Sequence, residues 1–484
     1  MSQTRRDFLK HTGCAALGTS LLAASVQDLA LVRAFADTGA TDYKALVCVF
    51  MQGGNDGNNT VVPVDQTRFA QYTSARSAAG LALPAPGQAG GLLALNPTSR
   101  GEQYGLHPSL AEMQSLFNQG KAAVVCNAGP LVEPLTKTTY QNGAGRKPLQ
   151  LFSHSDQVNQ WMTSVSNDNS QTGWGGRAAD RAAALNGAAT FPQMISIAGV
   201  NLFVTGQSSR PLAIGDSNTA LANVLPLNNA VNADGLTFTA AQNTARRNAF
   251  DSIRALVSTE RLTKAAADVT TSALQTSAAL ASANPAITTT FPNTSIGRQL
   301  LQIARLIALR DTLSMKRQIF FAQLGSFDTH SNQTGTQATL LQQLSQAINA
   351  FYSATVELGV QSNVTTFTLA DFSRTFQPAG SGVNTVGSDH AWGNHHFVVG
   401  GAVKGGDFYG TPGTSGSVFP TLVMGGPDDT DSGSNPRGRW IPTTSVEQYA
   451  ATLGLWYGLS QSDLPLVFPF IGRFASSNLG FMLP

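Results

Sequence analysis

The run Ala45-Leu46-Val47-Cys48-Val49-Phe50-Met51 is apolar at every position. A strand with one face in water alternates apolar and polar residues, so an unbroken apolar run belongs to a strand covered on both faces. It stops at Gln52-Gly53-Gly54-Asn55-Asp56-Gly57, a tight polar turn. Residues 122–126, 318–324, 364–369 and 397–402 have a similar strand character. Residues 108–119, 295–316 and 340–358 carry the spacing of helices. Strand, helix and strand in repetition predict an α/β domain with a mainly parallel sheet. In such sheets ligands gather beyond the carboxyl ends of the strands, where Asp56 lies. Residues 237–284 are rich in Ala, Thr and Ser and read as a helical insertion ended by Pro285.

The N-terminus has a different character. Thr4-Arg5-Arg6-Asp7-Phe8-Leu9-Lys10 precedes a weakly apolar stretch and then Ala34-Phe35-Ala36. Paired arginines, a modest apolar stretch and a small-residue cleavage site, in that order, mark residues 1–36 as a twin-arginine export signal. The expected mature domain is residues 37–484, periplasmic or secreted, exported folded by the twin-arginine translocase. The chain holds 30 basic and 28 acidic residues, and the surplus of two lies wholly in the leader. There Arg5, Arg6, Lys10 and Arg33 face Asp7 and Asp28. The neutral remainder argues against nucleic-acid binding, which needs a positive field. No later segment has the ~18 apolar residues needed to span a bilayer. Cys48 and Cys126 lie in apolar runs and are expected to be two buried thiols.

Six histidines follow the leader, four of them between 330 and 396. His107, at a helix start, reads as a structural residue. The others share loops with aspartates: Ser153-His154-Ser155-Asp156, Asp328-Thr329-His330, and Asp389-His390 followed by His395-His396. Asp371 ends the 364–369 strand. Imidazole and carboxylate together hold hard or borderline divalent ions without thiolate. Asp56, Asp328, His330, Asp371, Asp389, His390, His395 and His396 are therefore candidate metal ligands, enough for two sites. A hydroxyl nucleophile belongs at a helix N-terminus, where free N–H groups favour an oxyanion. Ser153 meets that condition, with His154 beside it. Thr136 and Thr138 compete, flanking Lys137, a cation able to depress a hydroxyl pKa.

These motifs resemble a known family. The leader, Gly53-Gly54-Asn55-Asp56-Gly57-Asn58-Asn59-Thr60, Phe152-Ser153-His154-Ser155-Asp156-Gln157, Gly173-Trp174-Gly175-Gly176-Arg177, Phe327-Asp328-Thr329-His330 and Asp389-His390-Ala391-Trp392-Gly393 occur in the order found in the domain of unknown function 1501 family. That family is distantly similar to alkaline phosphatases and sulfatases. The resemblance implies a three-layer sandwich, alkaline phosphatase-like, with two divalent metal ions (zinc, calcium, magnesium or manganese). One ion is implied at Asp328, His330 and His395 or His396. The other is implied at Asp56, Ser153, Asp389 and His390, with Asp371 as an alternative oxygen donor. The expected substrate is a small anionic ester and the expected activity a metal-dependent hydrolysis of phosphate or sulfate esters. The alternative is a non-catalytic periplasmic or cell-envelope binding protein on the same fold. A serine esterase is disfavoured, since no G-x-S-x-G elbow precedes a His and an acid.

Overall fold

The computed structural model describes residues 40–484 apart from 97, 100, 225–238, 256–260, 282, 284 and 383. Residues 1–36, expected to be an export signal, and part of the 237–284 segment lie outside the described residues. The strands are β1 (Lys44–Met51), β2 (Val61–Pro63), β3 (Leu93–Ala94), β4 (Tyr104–Leu106), β5 (Ala122–Gly129), β6 (Met194–Ser196), β7 (Leu212–Ala213), β8 (Arg317–Leu324), β9 (Val364–Ala370), β10 (Asn394–Val399), β11 (Phe408–Tyr409) and β12 (Thr444–Ser445). A nine-stranded sheet runs β11-β5-β10-β9-β1-β8-β6-β7, with β12 also on β5. β1 pairs in parallel with β8 and β9, and β6 with β7 and β8. β10 runs antiparallel to both its neighbours, β5 and β9. The small β2-β4-β3 sheet packs separately and is antiparallel.

The apolar run 45–51 lies in β1, at the centre of the sheet. Its side chains divide by alternation. Ala45, Val47, Val49 and Met51 join one core, and Leu46, Cys48 and Phe50 join the other. The first core is closed by Leu300, Ile303 and Ile307 of the Ser295–Ala308 helix and by Leu341, Leu344 and Ile348 of the Gln333–Glu357 helix. The second is closed by the Trp174–Ala182 and Val446–Tyr457 helices, with Trp161. The result is a three-layer α/β sandwich around a mainly parallel sheet. Burying a large apolar side chain contributes about 1.5–3 kcal/mol, so two filled cores account for the order of the layers. Cys48 and Cys126 are free and buried. The described part of the 237–284 segment forms two helices, Ala240–Ala255 and Arg261–Ala281. Among the described residues, no helix is long and apolar enough to cross a membrane.

The Gly173-Trp174-Gly175-Gly176-Arg177 motif is explained by packing. A Cβ on Gly176 would lie 2.1 Å from the Thr205 carbonyl oxygen, so only glycine lets the helix approach so closely. Arg177 donates to the carbonyls of Thr163, Thr172 and Val467, joining three segments.

The Gln333–Glu357 helix begins seven residues earlier than its apolar spacing predicts. Gln333 and Gln337 in its first turns are buried and polar, and they serve the turn after β1. Asp56 caps the short Gly57–Thr60 helix there through Asn58 N (3.0 Å). Its carboxylate accepts from Arg76 Nη1 (2.6 Å), Arg76 Nη2 (3.3 Å) and Gln333 Nε2 (2.6 Å). Gln337 Nε2 donates to the Asp56 carbonyl. Both members of the Arg76–Asp56 pair are 0% exposed. Arg76 also donates to the carbonyls of Thr375 and Phe376 after β9.

Two consequences are measurable. Arg76→Met strands a buried carboxylate and should cost about 3–5 kcal/mol in urea unfolding. The second concerns Glu447, buried at the start of the Val446–Tyr457 helix, where it accepts from Phe470 N. Burial raises its carboxyl from 4.5 to about 8. The native state therefore keeps a proton that the unfolded chain releases, and stability falls as pH rises from 4.5 to about 8. The slope from this group is at most about 1.4 kcal/mol per pH unit. Glu447→Gln should flatten that part of the stability profile, measured by urea unfolding at pH 5 and pH 8.

Candidate functional site

The register of the parallel strands sets the floor of the site. Met51 pairs with Leu324 on one side and Ala370 on the other, so β8, β1 and β9 end level. Their exit loops lie side by side. Gly53, at φ 111°, lets two of them touch, since a Cβ there would lie 2.4 Å from Asp328 N. Gly53 N donates to Asp371 Oδ1 (3.0 Å). The His154–Thr163 helix brings its N-terminus over these loops, and the segment after Gln377 returns Asp389 and His390 to them.

Three histidines converge with one aspartate. His390 Nε2 lies 3.1 Å from His154 Nε2 and 3.0 Å from His330 Nε2. Asp328 Oδ1 lies 3.1 Å from His330 Nε2 and 3.4 Å from His390 Nε2, and Asp328 Oδ2 lies 3.5 Å from His154 Nε2. Each ring is fixed through its other nitrogen. His154 Nδ1 meets Asp371 Oδ2 at 2.7 Å, His330 Nδ1 meets Asp389 Oδ1 at 3.3 Å, and His390 Nδ1 donates to the Phe152 carbonyl at 2.8 Å. A carbonyl only accepts, so His390 in its neutral form presents a bare Nε2 lone pair to two other ring nitrogens. Lone pairs facing one another repel unless a proton or a cation lies between them. Tetrahedral ligands at zinc–nitrogen bond length stand about 3.3 Å apart, which matches this spacing. His154, Asp328 and His390 together form a group able to hold a metal ion. The outer partners are of the kind that orient metal-bound histidines.

Electrostatics follow from the neighbours. The hydrogen bond to Asp371 raises the pKa of His154. Burial lowers that of His390. Burial pushes the Asp328 carboxyl up, but Arg374 Nη1 at 2.7 Å outweighs it and the pKa falls. Asp389 is lowered in the same way, burial being outweighed by its ion pair with Arg437. Phe152 adopts φ 71°, a conformation costly for an aromatic residue, and its carbonyl there receives His390. An open cleft of about 440 Å³ adjoins the group, lined by Gln52, Gly53, His154, Ser155, Ser326 and Asp371 among others.

The structure brings together five of the eight expected ligands, Asp328, His330, Asp371, Asp389 and His390, and adds His154, expected as a catalytic residue. Asp371 and Asp389 touch histidine Nδ1 atoms rather than the converging Nε2 atoms. Three expected ligands stand apart. Asp56 is held by Arg76 and Gln333. His395 and His396 are consecutive on β10 and so point into opposite layers. His395 stacks on Phe419 at 4.3 Å, and His396 packs against Trp161 and Tyr449. Burial lowers both to about 3, which keeps them neutral. His107 is likewise buried and lowered to about 4.

Ser153 is the N-cap residue of the His154–Thr163 helix, and its hydroxyl donates to Asp156 Oδ2 at 2.6 Å. Thr138 lies in the Lys137–Gln141 helix, which Thr136 caps. Lys137 Nζ donates to the carbonyls of Gly425, Gly426 and Asp431, so its charge is committed to backbone rather than to a threonine hydroxyl.

Sequence reasoning assigned nothing to three arginines at the site. Arg374 binds Asp328, Arg437 binds Asp389, and Arg439 Nε donates to the His390 carbonyl at 3.1 Å. The signal was Arg437-Gly438-Arg439, two charges about one glycine in a chain with 12% charged residues. Asp429 presets this strap by accepting from four backbone N–H groups, those of Gly425, Asp431, Gly438 and Arg439.

Several solved structures show distant likeness. The lipoteichoic acid synthase LtaP from Listeria monocytogenes is 7% identical, with TM-score 0.28, over 69% of this chain and 57% of that one. The chain thus spans little more than half of that synthase. The PsFucS1 sulfatase from Pseudoalteromonas sp. is 8% identical, with TM-score 0.28, over 81% and 67% of the two chains. A Bacteroides thetaiotaomicron structure described under metabolism of multiple glycosaminoglycans is 10% identical, with TM-score 0.32, over 87% and 74%. In a search of curated proteins, no match to the chain is found. Residues 43–419 match the family described as "Protein of unknown function (DUF1501)", and the chain belongs to that family.

Proposed function

We propose that the chain is an exported, metal-dependent hydrolase of phosphate or sulfate esters. The observation that carries this reading is the convergence of three Nε2 atoms on Asp328 while each Nδ1 is tied to an acceptor. His154, His330, His390 and Asp328 would hold the ion. A divalent ion bound there supplies Lewis-acid polarisation of an ester oxygen. Asp371, Asp389 and the Phe152 carbonyl hold the imidazoles in the required tautomer and orientation. Ser153 is the proposed nucleophile: its hydroxyl oxygen bonds to the phosphorus or sulfur as its proton passes to Asp156, and the bond to the ester oxygen breaks. The protonated Asp156 returns the proton to the leaving alkoxide, and water then hydrolyses the seryl ester to regenerate Ser153. Arg374 and Arg437 offset the charges of Asp328 and Asp389, which reduces the repulsion an anionic ester would meet at the cleft.

The purified mature protein should contain divalent metal and hydrolyse p-nitrophenyl phosphate or p-nitrophenyl sulfate. Ser153→Ala should lower turnover roughly 1,000-fold or more with metal content unchanged. Asp156→Asn should lower it roughly 100-fold. Full activity in Ser153→Ala would move the nucleophile elsewhere, with Ser155 in the cleft the next candidate. Metal without turnover on either ester would favour the non-catalytic envelope-binding reading.

A further inference from the structure

The family resemblance implies two ions, and the side chains on the page divide unequally between them. His154 Nε2, His390 Nε2 and Asp328 form one group, and His330 Nε2 adjoins it through His390 Nε2 and Asp328 Oδ1. The donors expected for a second ion are each bound to something else. The two oxygens of Asp56 accept from Arg76, Gln333 and Asn58, in a side chain 0% exposed. Asp389 is paired with Arg437 and His330. Asp371 is buried and held by Gly53 N and His154 Nδ1. Ser153 Oγ lies against Asp156 and Ser155. His390, expected in the second set, belongs to the first group. Freeing Asp56 for a metal would leave Arg76 buried and unpaired, which costs several kcal/mol.

We infer that the centre takes a single divalent first-row ion, held by His154, His330, His390 and Asp328, and that arginine supplies the positive charge a second ion would bring. Arg374 is the nearest source. Its side chain is 0% exposed, and its Nη1 shares Asp328 Oδ1 with His330 and His390. Arg76 plays the same part for Asp56. Three imidazoles with one carboxylate suit zinc, manganese or another first-row ion. Calcium and magnesium prefer shells made chiefly of oxygen, and one carboxylate among imidazoles does not provide that. The inference rests on the metal-dependent reading above and adds the number and class of the ion.

The test is stoichiometry rather than turnover. Full mature protein is stripped with a chelator and titrated separately with zinc, manganese, calcium and magnesium. Ions per chain are counted by native mass spectrometry and affinities measured by calorimetry. The expected result is one equivalent of zinc or manganese, with no calcium or magnesium taken up at the same concentrations. His390→Ala and Asp328→Ala, with circular dichroism showing them folded, should bind at least about 100-fold more weakly. Asp389→Asn should keep one equivalent with affinity lowered about 10- to 100-fold, since it acts through His330. If these variants unfold, the wild-type stoichiometry alone decides. Two equivalents in the wild type, or uptake of calcium or magnesium in preference to zinc and manganese, would overturn this inference and leave the proposed hydrolase standing. Undiminished binding in folded His390→Ala would overturn the assigned ligand set. No bound ion of any kind would overturn both.

Discussion

The common row in which β8, β1 and β9 end is the constraint on which the rest depends. Parallel pairing carries Met51 level with Leu324 and Ala370. Three loops therefore leave the sheet at one height, and each brings a different group: Gly53, Asp328 with His330, and Asp371 with Arg374. A shift of one residue in any strand would turn its core side chains to the other layer, so the apolar pattern that builds the two cores also aligns the site. The chemistry at the top of the sheet inherits its precision from the packing below it.

Within that frame the histidines are positioned from behind. Asp371, Asp389 and the Phe152 carbonyl each take one Nδ1, and the three Nε2 atoms are left facing inward. The arginines act one layer further out, neutralising Asp328 and Asp389 and bracing the backbone of His390. The Asp429 carboxylate, by gathering four backbone N–H groups, fixes the strap that carries two of them. That strap lies beyond residue 419, where the match to the family ends.

Much of this was legible in the sequence, for a physical reason in each case. The apolar and β-branched runs announced the strands, and the loops following two of them held Asp328, His330 and Asp371. His395 and His396 misled because adjacent histidines look like a pair of ligands. Once β10 begins at Asn394, adjacency places them on opposite faces, one in each core. Asp56 misled because its partner Arg76 is twenty residues away on a helix, and no local pattern records a buried ion pair. The start of the Gln333–Glu357 helix was missed because Gln333 and Gln337 look like solvent-facing residues while serving Asp56 and its neighbours. His154 was noticed beside Ser153, but its place among the Nε2 donors depends on how a helix from the other side of the sheet meets three loops.

The four converging side chains come from positions 154, 328, 330 and 390, drawn from three stretches of chain separated by long intervals. A nascent or unfolded chain therefore offers an ion at most a local pair such as Asp328 and His330, never the whole set. Tight capture would begin only when the sheet has closed and the distant loops have met. For the proposed metal centre, the compartment in which this chain completes its folding would be the one whose free-metal pool chooses the ion, and a change of compartment during biogenesis would change the occupant without changing a single residue.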